Sequence, residues 1–259
     1  YYLSTGQHHV SRDFRPGLGF VQRDDMIGTG IMAGFTPRVG DGDELIRQWK
    51  FSIYARDVRN HSGVKETGVL SGGIEAHLES KDRIGIKVIQ NIERLADPFY
   101  LKNGIEIPDG EYDDKKFEFS ARSNQSRGLW AEIRFTQGNY FGGDQTSLVS
   151  SIGKLFSNHL TLYGSVNRNI IDMPQEGEFT ADIYAITAEM ALNRKWFGKA
   201  LIQYDNFSEY LQIYWRINWI HTPGSDLFIV LNQRYDLSGR GNDLIQQAQV
   251  LKLTYQFQI

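Results

Sequence analysis

Apolar and polar residues alternate with a period of two through long segments that cover most of the chain. In residues 211–219 the odd positions are Leu, Ile, Trp, Ile and Trp, and the even positions include Gln212 and Arg216. Because side chains two residues apart lie on the same face of a β-sheet, this alternation predicts strands with one apolar and one polar face. No segment carries an apolar stripe at the helical period of 3.6 residues, so the sequence predicts an all-β fold.

Turn-forming residues separate fourteen segments of this kind, which predicts fourteen antiparallel strands in up-and-down order. The predicted strands are 1–12, 26–37, 45–57, 64–79, 82–95, 112–124, 128–140, 144–156, 158–170, 178–192, 195–206, 209–221, 224–235 and 249–259. No linker, low-complexity tract or charge run divides the chain. The sequence therefore predicts a single domain that spans residues 1–259.

Composition excludes several classes of protein. Lys and Arg total 28 and Asp and Glu total 31, a formal net charge of −3 that gives no support to nucleic-acid binding. The absence of cysteine excludes disulfide scaffolds, thiolate zinc sites and cysteine nucleophiles. No stretch of eighteen apolar residues is present, which excludes a helical membrane protein. Because the chain begins at Tyr1 without Met or a signal-like apolar run, we expect it to be a processed chain or a fragment.

Strand length and the position of charges favour a membrane barrel over a β-sandwich. Sandwich strands are commonly about five or six residues long, whereas a tilted strand that crosses a bilayer needs about 9–11. Full charges such as Lys87, Glu118 and Arg134 stand in the middle of the predicted strands. A closed transmembrane barrel, with lipid outside and polar groups inside, satisfies both faces of such strands. The predicted fold is an antiparallel up-and-down transmembrane β-barrel of about fourteen strands.

The lengths of the connections alternate and predict an orientation. The short connections are 221–224, 192–195, 156–159, 124–128 and 80–82, and the longer ones are 236–248, 171–177, 140–144, 96–111 and 58–63. The connection 206–209 is a short exception in the long set, and 37–44 is a long exception in the short set. Outer-membrane barrels have short periplasmic turns and longer external loops. The sequence thus predicts that the short connections face the periplasm.

Alternation also predicts which charged residues face the lumen of the barrel. The predicted lumen-facing cations are Lys50, Arg56, Lys87, Lys116, Arg122, Arg134, Lys199, Arg216, Arg234 and Lys252. The predicted lumen-facing acids are Glu75, Glu79, Glu93, Glu118, Glu132, Glu189 and Asp205. Two interpretations stay open and are compatible with each other. The charges form cross-strand ion pairs that stiffen the wall, or their positive excess gives a permeation path a weak preference for anions.

The opposite face is predicted to contact lipid through aromatic side chains. The predicted lipid-facing or interfacial aromatics are Trp49, Phe117, Phe119, Trp196, Trp215, Trp219, Tyr255 and Phe257. Trp49, Trp196 and Trp219 lie near the short-turn ends of their strands. Because indole combines an apolar body with one hydrogen-bond donor, these three are expected to mark the periplasmic interface.

Histidines and serines give no catalytic or metal site. The six histidines lack metal-ligand spacing, and His8 and His9 are expected to be solvated at a strand end. Ser71 and His77 share a predicted face but are separated by about 20 Å along one strand, too far for direct proton transfer. The sequence therefore predicts no catalytic residue, no metal ligand and no cofactor.

Two further short motifs are interpreted as structural. Gly28-Thr29-Gly30 has the wrong spacing for a nucleotide-binding loop, and strand glycines are the favoured interpretation. Asp41-Gly42-Asp43-Glu44 is too short for a complete calcium loop, and an acidic turn is favoured over a calcium site.

Four segments together resemble a bacterial outer-membrane barrel family. They are Arg15-Pro16-Gly17-Leu18-Gly19-Phe20-Val21-Gln22-Arg23-Asp24, Ala96-Asp97-Pro98-Phe99 with Ile107-Pro108 and Gly110-Glu111-Tyr112, Thr222-Pro223-Gly224-Ser225-Asp226-Leu227-Phe228, and Leu251 to Ile259. The chain resembles the carboxy-terminal part of this poorly characterised family, whose barrel often follows an amino-terminal carbohydrate-binding module of the family-nine type. The resemblance implies further strands before Tyr1 and carries over no catalytic residue.

The end of the chain resembles the terminal strand by which barrel-assembly machinery recognises outer-membrane proteins. This strand, Leu251 to Ile259, ends in Ile where such strands usually end in an aromatic residue.

These observations lead to one leading functional hypothesis and two alternatives. The leading one is a bacterial outer-membrane barrel that acts as a passive conduit or as the membrane anchor of a carbohydrate-related module. The first alternative is a structural subunit that docks other outer-membrane or surface proteins, and the remote one is an integral outer-membrane enzyme. The expected partners are the lipid bilayer, the barrel-assembly machinery and such proteins, with no nucleic acid and no cofactor.

Overall fold

A computed structural model describes residues 1–17, 19, 21, 23–40, 44–101, 104–174, 177–239 and 241–257. These residues form sixteen β-strands and no helix. Within this part of the chain, no helix is long and apolar enough to cross a membrane. The all-β prediction is confirmed.

The strands follow one another along the whole described chain. In order they are β1 (Tyr2–Val10), β2 (Met26–Phe35), β3 (Ile46–Arg59), β4 (Lys65–Leu78), β5 (Arg83–Leu95), β6 (Phe99–Tyr100), β7 (Glu106–Ile107), β8 (Gly110–Arg122), β9 (Leu129–Tyr140), β10 (Gly143–Ser157), β11 (Leu160–Met173), β12 (Gly177–Ala191), β13 (Trp196–Asp205), β14 (Tyr210–Thr222), β15 (Ser225–Asp236) and β16 (Asp243–Thr254).

The fourteen long strands form a single sheet in which each strand lies beside the next long strand of the chain. The two short strands β6 and β7 pair only with each other, inside the connection between β5 and β8. The prediction of fourteen antiparallel strands in up-and-down order is confirmed. The hairpin of β6 and β7 was not predicted, because two-residue strands are too short to show an alternating pattern.

The described sheet has two edges and is not closed into a barrel. Within the described residues, β1 pairs only with β2, and β16 pairs only with β15. Every residue of β16 from Asp243 to Leu253 is exposed. The structure thus shows an antiparallel up-and-down sheet. The outer backbone N–H and C=O groups of its two edge strands, β1 and β16, have no partner strand among the described residues.

Two compact units make up the chain and are described separately. Unit 1 contains Tyr1–Arg122, Arg134–Thr146 and Ile171–Phe179, and unit 2 contains Ser123–Ile133, Ser147–Ile170 and Thr180–Ile259. Each of the strands β9 to β12 contributes residues to both units.

The last strand lies earlier in the chain than predicted. The alternation predicts a strand over 249–259, but β16 ends at Thr254, which pairs with Asp226 near the start of β15. Beyond Thr254 the ladder stops because β15 begins at Ser225 and offers almost no further partner. Residues 255–257 carry no strand, and Gln258 and Ile259 lie outside the described residues.

The alternation of loop lengths is weaker than predicted. The predicted connections 171–177 and 140–144 are shorter in the structure, where they are 174–176 and 141–142. The reason is that the strands on either side extend beyond the segments that show alternation in the sequence. Long connections remain at 11–25 and 96–109. The connection 36–45 is also long although it lies on the predicted short side, so connection length does not decide the predicted orientation.

In unit 1, the apolar side chains of the long strands lie largely on one face of the sheet and are exposed. The buried side chains lie largely on the opposite face, which also carries the charges. Lys50 lies directly opposite Glu75 and Lys87 opposite Glu118, so one face of β3, β4, β5 and β8 carries the charges. We call it the charged face and the opposite one the apolar face. On the apolar face Val88 is 61% exposed, whereas Ser71 on the charged face is 4% exposed.

Unit 2 has the same arrangement. Lys199 lies opposite Glu189 on β12 and opposite Arg216 on β14, which defines its charged face. On the apolar face Ile186 is 63% exposed, whereas Thr187 beside it on the charged face is 4% exposed. In both units the apolar face is thus the more exposed one, the reverse of a sheet that buries its apolar face on folding in water.

Connection 96–109 forms a small apolar core at one end of unit 1. Ile105, Ile107, Ile171 and Met173 are buried together, and Ile107 is fully buried. Leu95, Phe99, Leu101, Tyr112, Tyr140, Phe141 and Phe179 pack around them. The Tyr112 hydroxyl donates to the Pro108 carbonyl oxygen at 2.8 Å and ties the connection to β8. The described part of this connection is therefore packed on the charged-face side of β8, where Tyr112 shares a face with Asp114.

Candidate functional site

A row of cations lies over aromatic rings on the charged face of unit 2. Lys199 Nζ is 5.7 Å from the centre of the Tyr163 ring, and the Arg216 guanidinium is 5.7 Å from the Phe228 ring. Arg234 repeats this arrangement over Tyr210, also at 5.7 Å. A cation within about 6 Å of a ring face is attracted by the negative ring face, which holds these long side chains against the wall.

The three cations differ in their carboxylate partners. Lys199 Nζ donates to Glu189 Oε1 at 3.0 Å and to the Tyr163 hydroxyl at 3.0 Å. Arg216 and Arg234 form no ion pair with a described carboxylate. Arg216 Nε is moreover buried without a hydrogen-bond partner among the described residues, as is the side-chain oxygen of Asn218 two residues further along β14.

A cavity of about 390 Å³ opens beside Arg216. Its wall is formed by the ends of β11, β12 and β13 that adjoin the connections 158–159 and 192–195, and by Arg216 in the middle of β14. Charged or polar lining side chains include His159, Thr161, Glu189, Lys199 and Arg216. The His159 ring nitrogen Nδ1 donates to the Ala191 carbonyl oxygen at 2.6 Å. Volumes of about 300–1,000 Å³ are typical of small-molecule sites.

Trp130 fills the neighbouring part of the same face. Its ring lies 6.2 Å from the Tyr163 ring, measured between centres. A Cβ atom at Gly153 would lie only 2.2 Å from the Trp130 indole, so only glycine leaves room for this ring. Glu132, two residues from Trp130 on β9, belongs to the same face by the period of the strand.

In unit 1, part of the predicted charge ladder is present. Arg134 Nε lies 3.8 Å from Glu118 Oε1. The side chain of His77 contacts Glu75 on its own strand, and Lys116 Nζ donates to Gln145 Oε1 at 2.7 Å. Cross-strand ion pairs therefore account for part of the set, while other members bind polar or aromatic groups.

The predicted charged set lies on the charged faces. In unit 1 the register brings Lys50, Arg56, Glu75, Lys87, Glu93, Lys116, Glu118 and Arg122 to one face. In unit 2 it brings Glu189, Lys199, Asp205, Arg216, Arg234 and Lys252 to one face. Glu79 lies in the turn after β4 and is not a strand residue. Asp205 accepts hydrogen bonds from the backbone of 207 and 208, so its carboxylate stabilises a turn.

Sequence reasoning missed a polar cluster built around Arg23 in unit 1. Arg23 Nη1 donates to Thr67 Oγ1 at 2.9 Å, and Arg23 Nη2 donates to Glu93 at 3.3 Å. Glu66 also lies 3.4 Å from Arg23. Because the partners are 43 to 70 residues away in sequence, no local pattern could have indicated them. The cluster borders a cavity of about 1260 Å³ whose lining also includes Arg56.

Asp25 is the last residue of the connection 11–25, which also contains Arg23, and it contacts His61. Its Oδ1 accepts from the His61 backbone N–H at 3.2 Å and contacts the His61 ring at 2.5 Å, and the other His61 ring nitrogen contacts His9 at 2.5 Å. Burial raises the pKa of Asp25, but hydrogen bonds from His61 and the charge of Arg12 outweigh it, so the pKa lies below its ordinary value. A lowered pKa means that these contacts stabilise the fold above the ordinary pKa of Asp and are lost as the pH falls through the lowered one.

The predicted aromatic residues of the strands lie on the apolar faces. In unit 1 Phe117 and Phe119 lie opposite the exposed Val88 and Ile86, and Trp49 lies on the same face opposite the buried Ala76. In unit 2 Trp196 lies directly opposite Trp219, with ring centres 5.4 Å apart, and Trp215 shares their face. Tyr255 and Phe257 follow β16, and both are exposed, with ring centres 4.8 Å apart.

One acidic residue breaks the apolar face of unit 2. Asp182 has the same parity as Tyr184 and Ile186, and the residue is 4% exposed. It accepts a hydrogen bond from the Tyr184 hydroxyl at 3.0 Å and lies 3.9 Å from Arg168. These contacts lie where β12 passes the connection 206–209, and the Asp182 backbone N–H donates to Asn206 Oδ1 at 2.6 Å.

The other motifs give no site in the described residues. No group of three His, Cys, Asp or Glu residues in this part of the chain is arranged to hold a metal ion. Gly28-Thr29-Gly30 lies within β2, as the strand interpretation predicts. Asp41, Gly42 and Asp43 lie outside the described residues, as do Leu18, Phe20 and Gln22 of the family motif.

No protein-family model matches this chain, and no curated protein matches it. The resemblance to an outer-membrane barrel family therefore stays a prediction that rests on the four quoted segments.

Proposed function

We propose that this chain is the membrane-spanning part of a bacterial outer-membrane β-barrel that acts as a passive conduit or as the membrane anchor of a carbohydrate-related module. The observation that carries the proposal is the polarity of the sheet, with exposed aliphatic and aromatic side chains on one face and charges on the other. An exposed apolar surface of more than a few hundred Å² is rare on soluble monomers and marks contact with a partner or a membrane.

Strand dimensions support the same proposal. Apart from β1, β2 and β13, which have 9 or 10 residues, the long strands have 12 to 15. A tilted strand needs about 9–11 residues to cross the hydrocarbon core. In a bilayer the unpaired backbone groups of β1 and β16 cannot remain without partners, so the proposal requires that both edges become paired there. They pair with each other or with additional strands, and either arrangement completes a barrel.

A second candidate is a structural subunit that docks other outer-membrane or surface proteins. The exposed edge of β16 favours it, because a strand with free N–H and C=O groups can pair with a strand of another protein. In the leading proposal the same end of the chain, Leu251 to Ile259, is recognised by the barrel-assembly machinery. An integral enzyme stays a remote alternative that no arrangement of the described residues favours.

The membrane proposal is tested by fractionation and spectroscopy. We expect the expressed protein to sediment with outer membrane, to require detergent for extraction and to show a β-type circular dichroism spectrum in that detergent. The reason is that its exposed apolar face is stable only when lipid or detergent covers it. A monodisperse monomer in buffer without detergent would contradict the proposal.

The tryptophans are expected to report depth in the bilayer. Trp219 and Trp215 share a face of β14 but stand four residues apart, about 13 Å along the strand. We expect quenchers attached to lipid tails near the bilayer centre to quench Trp215 more than Trp219 in variants that keep a single Trp. Shallow quenchers near the headgroups should have the opposite preference. Equal depth for the two indoles would contradict a membrane-spanning β14.

A further inference from the structure

We propose that the cavity beside Arg216 binds a small oxyanion, a carboxylate or phosphate group, through the guanidinium of Arg216. The inference concerns a binding site within unit 2 and does not depend on whether the barrel conducts. It begins from the position of Arg216, whose side chain lines the cavity and forms no ion pair with a described carboxylate.

A buried guanidinium nitrogen without an acceptor is costly. Buried polar groups in native proteins almost always have partners, and charged groups lose more than neutral ones when left unpaired. The Phe228 ring, 5.7 Å from the Arg216 guanidinium, attracts the cation but supplies no hydrogen-bond acceptor of ordinary strength. Arg216 Nε has almost no accessible surface, so a ligand in the cavity can bind only the terminal guanidinium nitrogens, Nη1 and Nη2. The charge of the cavity decides which kind of ligand binds there.

The charges that line the cavity leave a positive excess. Lys199 is matched by Glu189, with which it forms an ion pair at 3.0 Å. Arg216 is matched by no described carboxylate, so the Lys, Arg and Glu side chains that line the cavity sum to one positive charge. A singly charged oxyanion neutralises the excess and accepts hydrogen bonds from the terminal guanidinium nitrogens of Arg216.

The size and shape of the site agree with a small ligand. The cavity volume of about 390 Å³ accommodates a phosphate or a short carboxylic acid. The planar guanidinium presents donors in a fork that fits two oxygens of one carboxylate or phosphate. Arg234 offers a matched comparison, because it also lies over a ring without a carboxylate partner but does not line this cavity.

The test is a calorimetric titration of the purified full chain in detergent with inorganic phosphate and, separately, with acetate. We expect saturable binding of at least one anion, a loss of about tenfold or more in affinity for Arg216→Gln, and a change of less than about twofold for Arg234→Gln. Arg216→Lys should retain part of the affinity, because it keeps the charge but loses the planar fork.

Several outcomes separate this site from the proposed function. Saturable binding that depends on Arg216 supports the site even if the protein conducts no ions in a bilayer. Absence of saturable binding by both anions, or equal losses in the Arg216 and Arg234 variants, overturns it. Thermal unfolding of each variant in the same detergent shows whether the variant is folded. If Arg216→Gln is not folded, the anion affinity of Arg216→Lys is compared with that of the unaltered protein.

Discussion

Trp215→Arg is expected to lower the free energy of unfolding from lipid by roughly 2–4 kcal/mol, the cost of placing an arginine near the middle of the lipid face of a barrel. Trp215 lies next to the centre of β14 and shares a face with Ile213 and Ile217. The measurement is reversible denaturant unfolding in lipid vesicles, followed by tryptophan fluorescence.

The adjacent position is the matched control. Tyr214 lies on the charged face of unit 2, opposite Leu201 and Asn232, where an arginine can stay solvated or contact polar neighbours. Tyr214→Arg should therefore cost distinctly less than Trp215→Arg. Equal costs at the two positions would refute the assignment of faces to lipid and interior. A sheet that is solvated on both sides would tolerate both substitutions.

The strands and their faces could be predicted because both follow from a local, two-residue repeat. Val88 and Phe117, for example, occupy apolar positions in segments 29 residues apart, and the register places them directly opposite each other. The alternation of each segment was sufficient to predict this match, since antiparallel neighbours in a sheet with one apolar face align faces of equal polarity.

The limits of strands and loops could not be predicted in the same way. Where β16 ends depends on where β15 begins, and the apolar residues Tyr255 and Phe257 continue the alternation beyond their partner strand. The alternating pattern reports which face a side chain occupies, not whether a ladder partner exists. For the same reason the segment 243–248, with three polar residues and no clear alternation, was predicted to be loop although it pairs with β15.

The polar contacts of the candidate sites were predicted least well. The sequence could place Arg216 and Arg134 on charged faces, but it could not show that one has a carboxylate partner and the other has none. Pairing depends on the length and rotamer of side chains on neighbouring strands. The contacts of Arg23 with Thr67 and Glu93 depend on how a long connection folds back over the sheet. Neither the pairing of side chains nor the path of a long connection follows from a two-residue repeat.

Replacing Arg216 and Arg234 together with glutamate is expected to shift the reversal potential toward cation selectivity in an asymmetric salt gradient. The two arginines are members of the charged face that lack a described carboxylate partner, so the field of each is less cancelled than that of Lys199. The double substitution changes the charge of this wall by four units. Rings of Lys and Arg favour anions in pores, so their reversal should favour cations.

The size of the shift should depend on salt, because screening acts over about 8–10 Å at 0.1–0.15 M ionic strength. We therefore expect the largest shift at low salt and a weak selectivity in the unaltered protein.

The pair Arg134 and Glu118 supplies a control with no change in net charge. Exchanging them, as Arg134→Glu with Glu118→Arg, inverts an ion pair whose atoms lie 3.8 Å apart and should leave the reversal potential almost unchanged. A shift as large as that of the Arg216 and Arg234 variant would mean that local geometry, and not the unpaired charge, governs permeation. If the protein conducts but the double glutamate variant leaves the potential unmoved, the charged face of unit 2 does not line the path. If no preparation conducts, the conduit proposal is wrong and the docking role gains support, because the exposed edge of β16 does not depend on an open lumen.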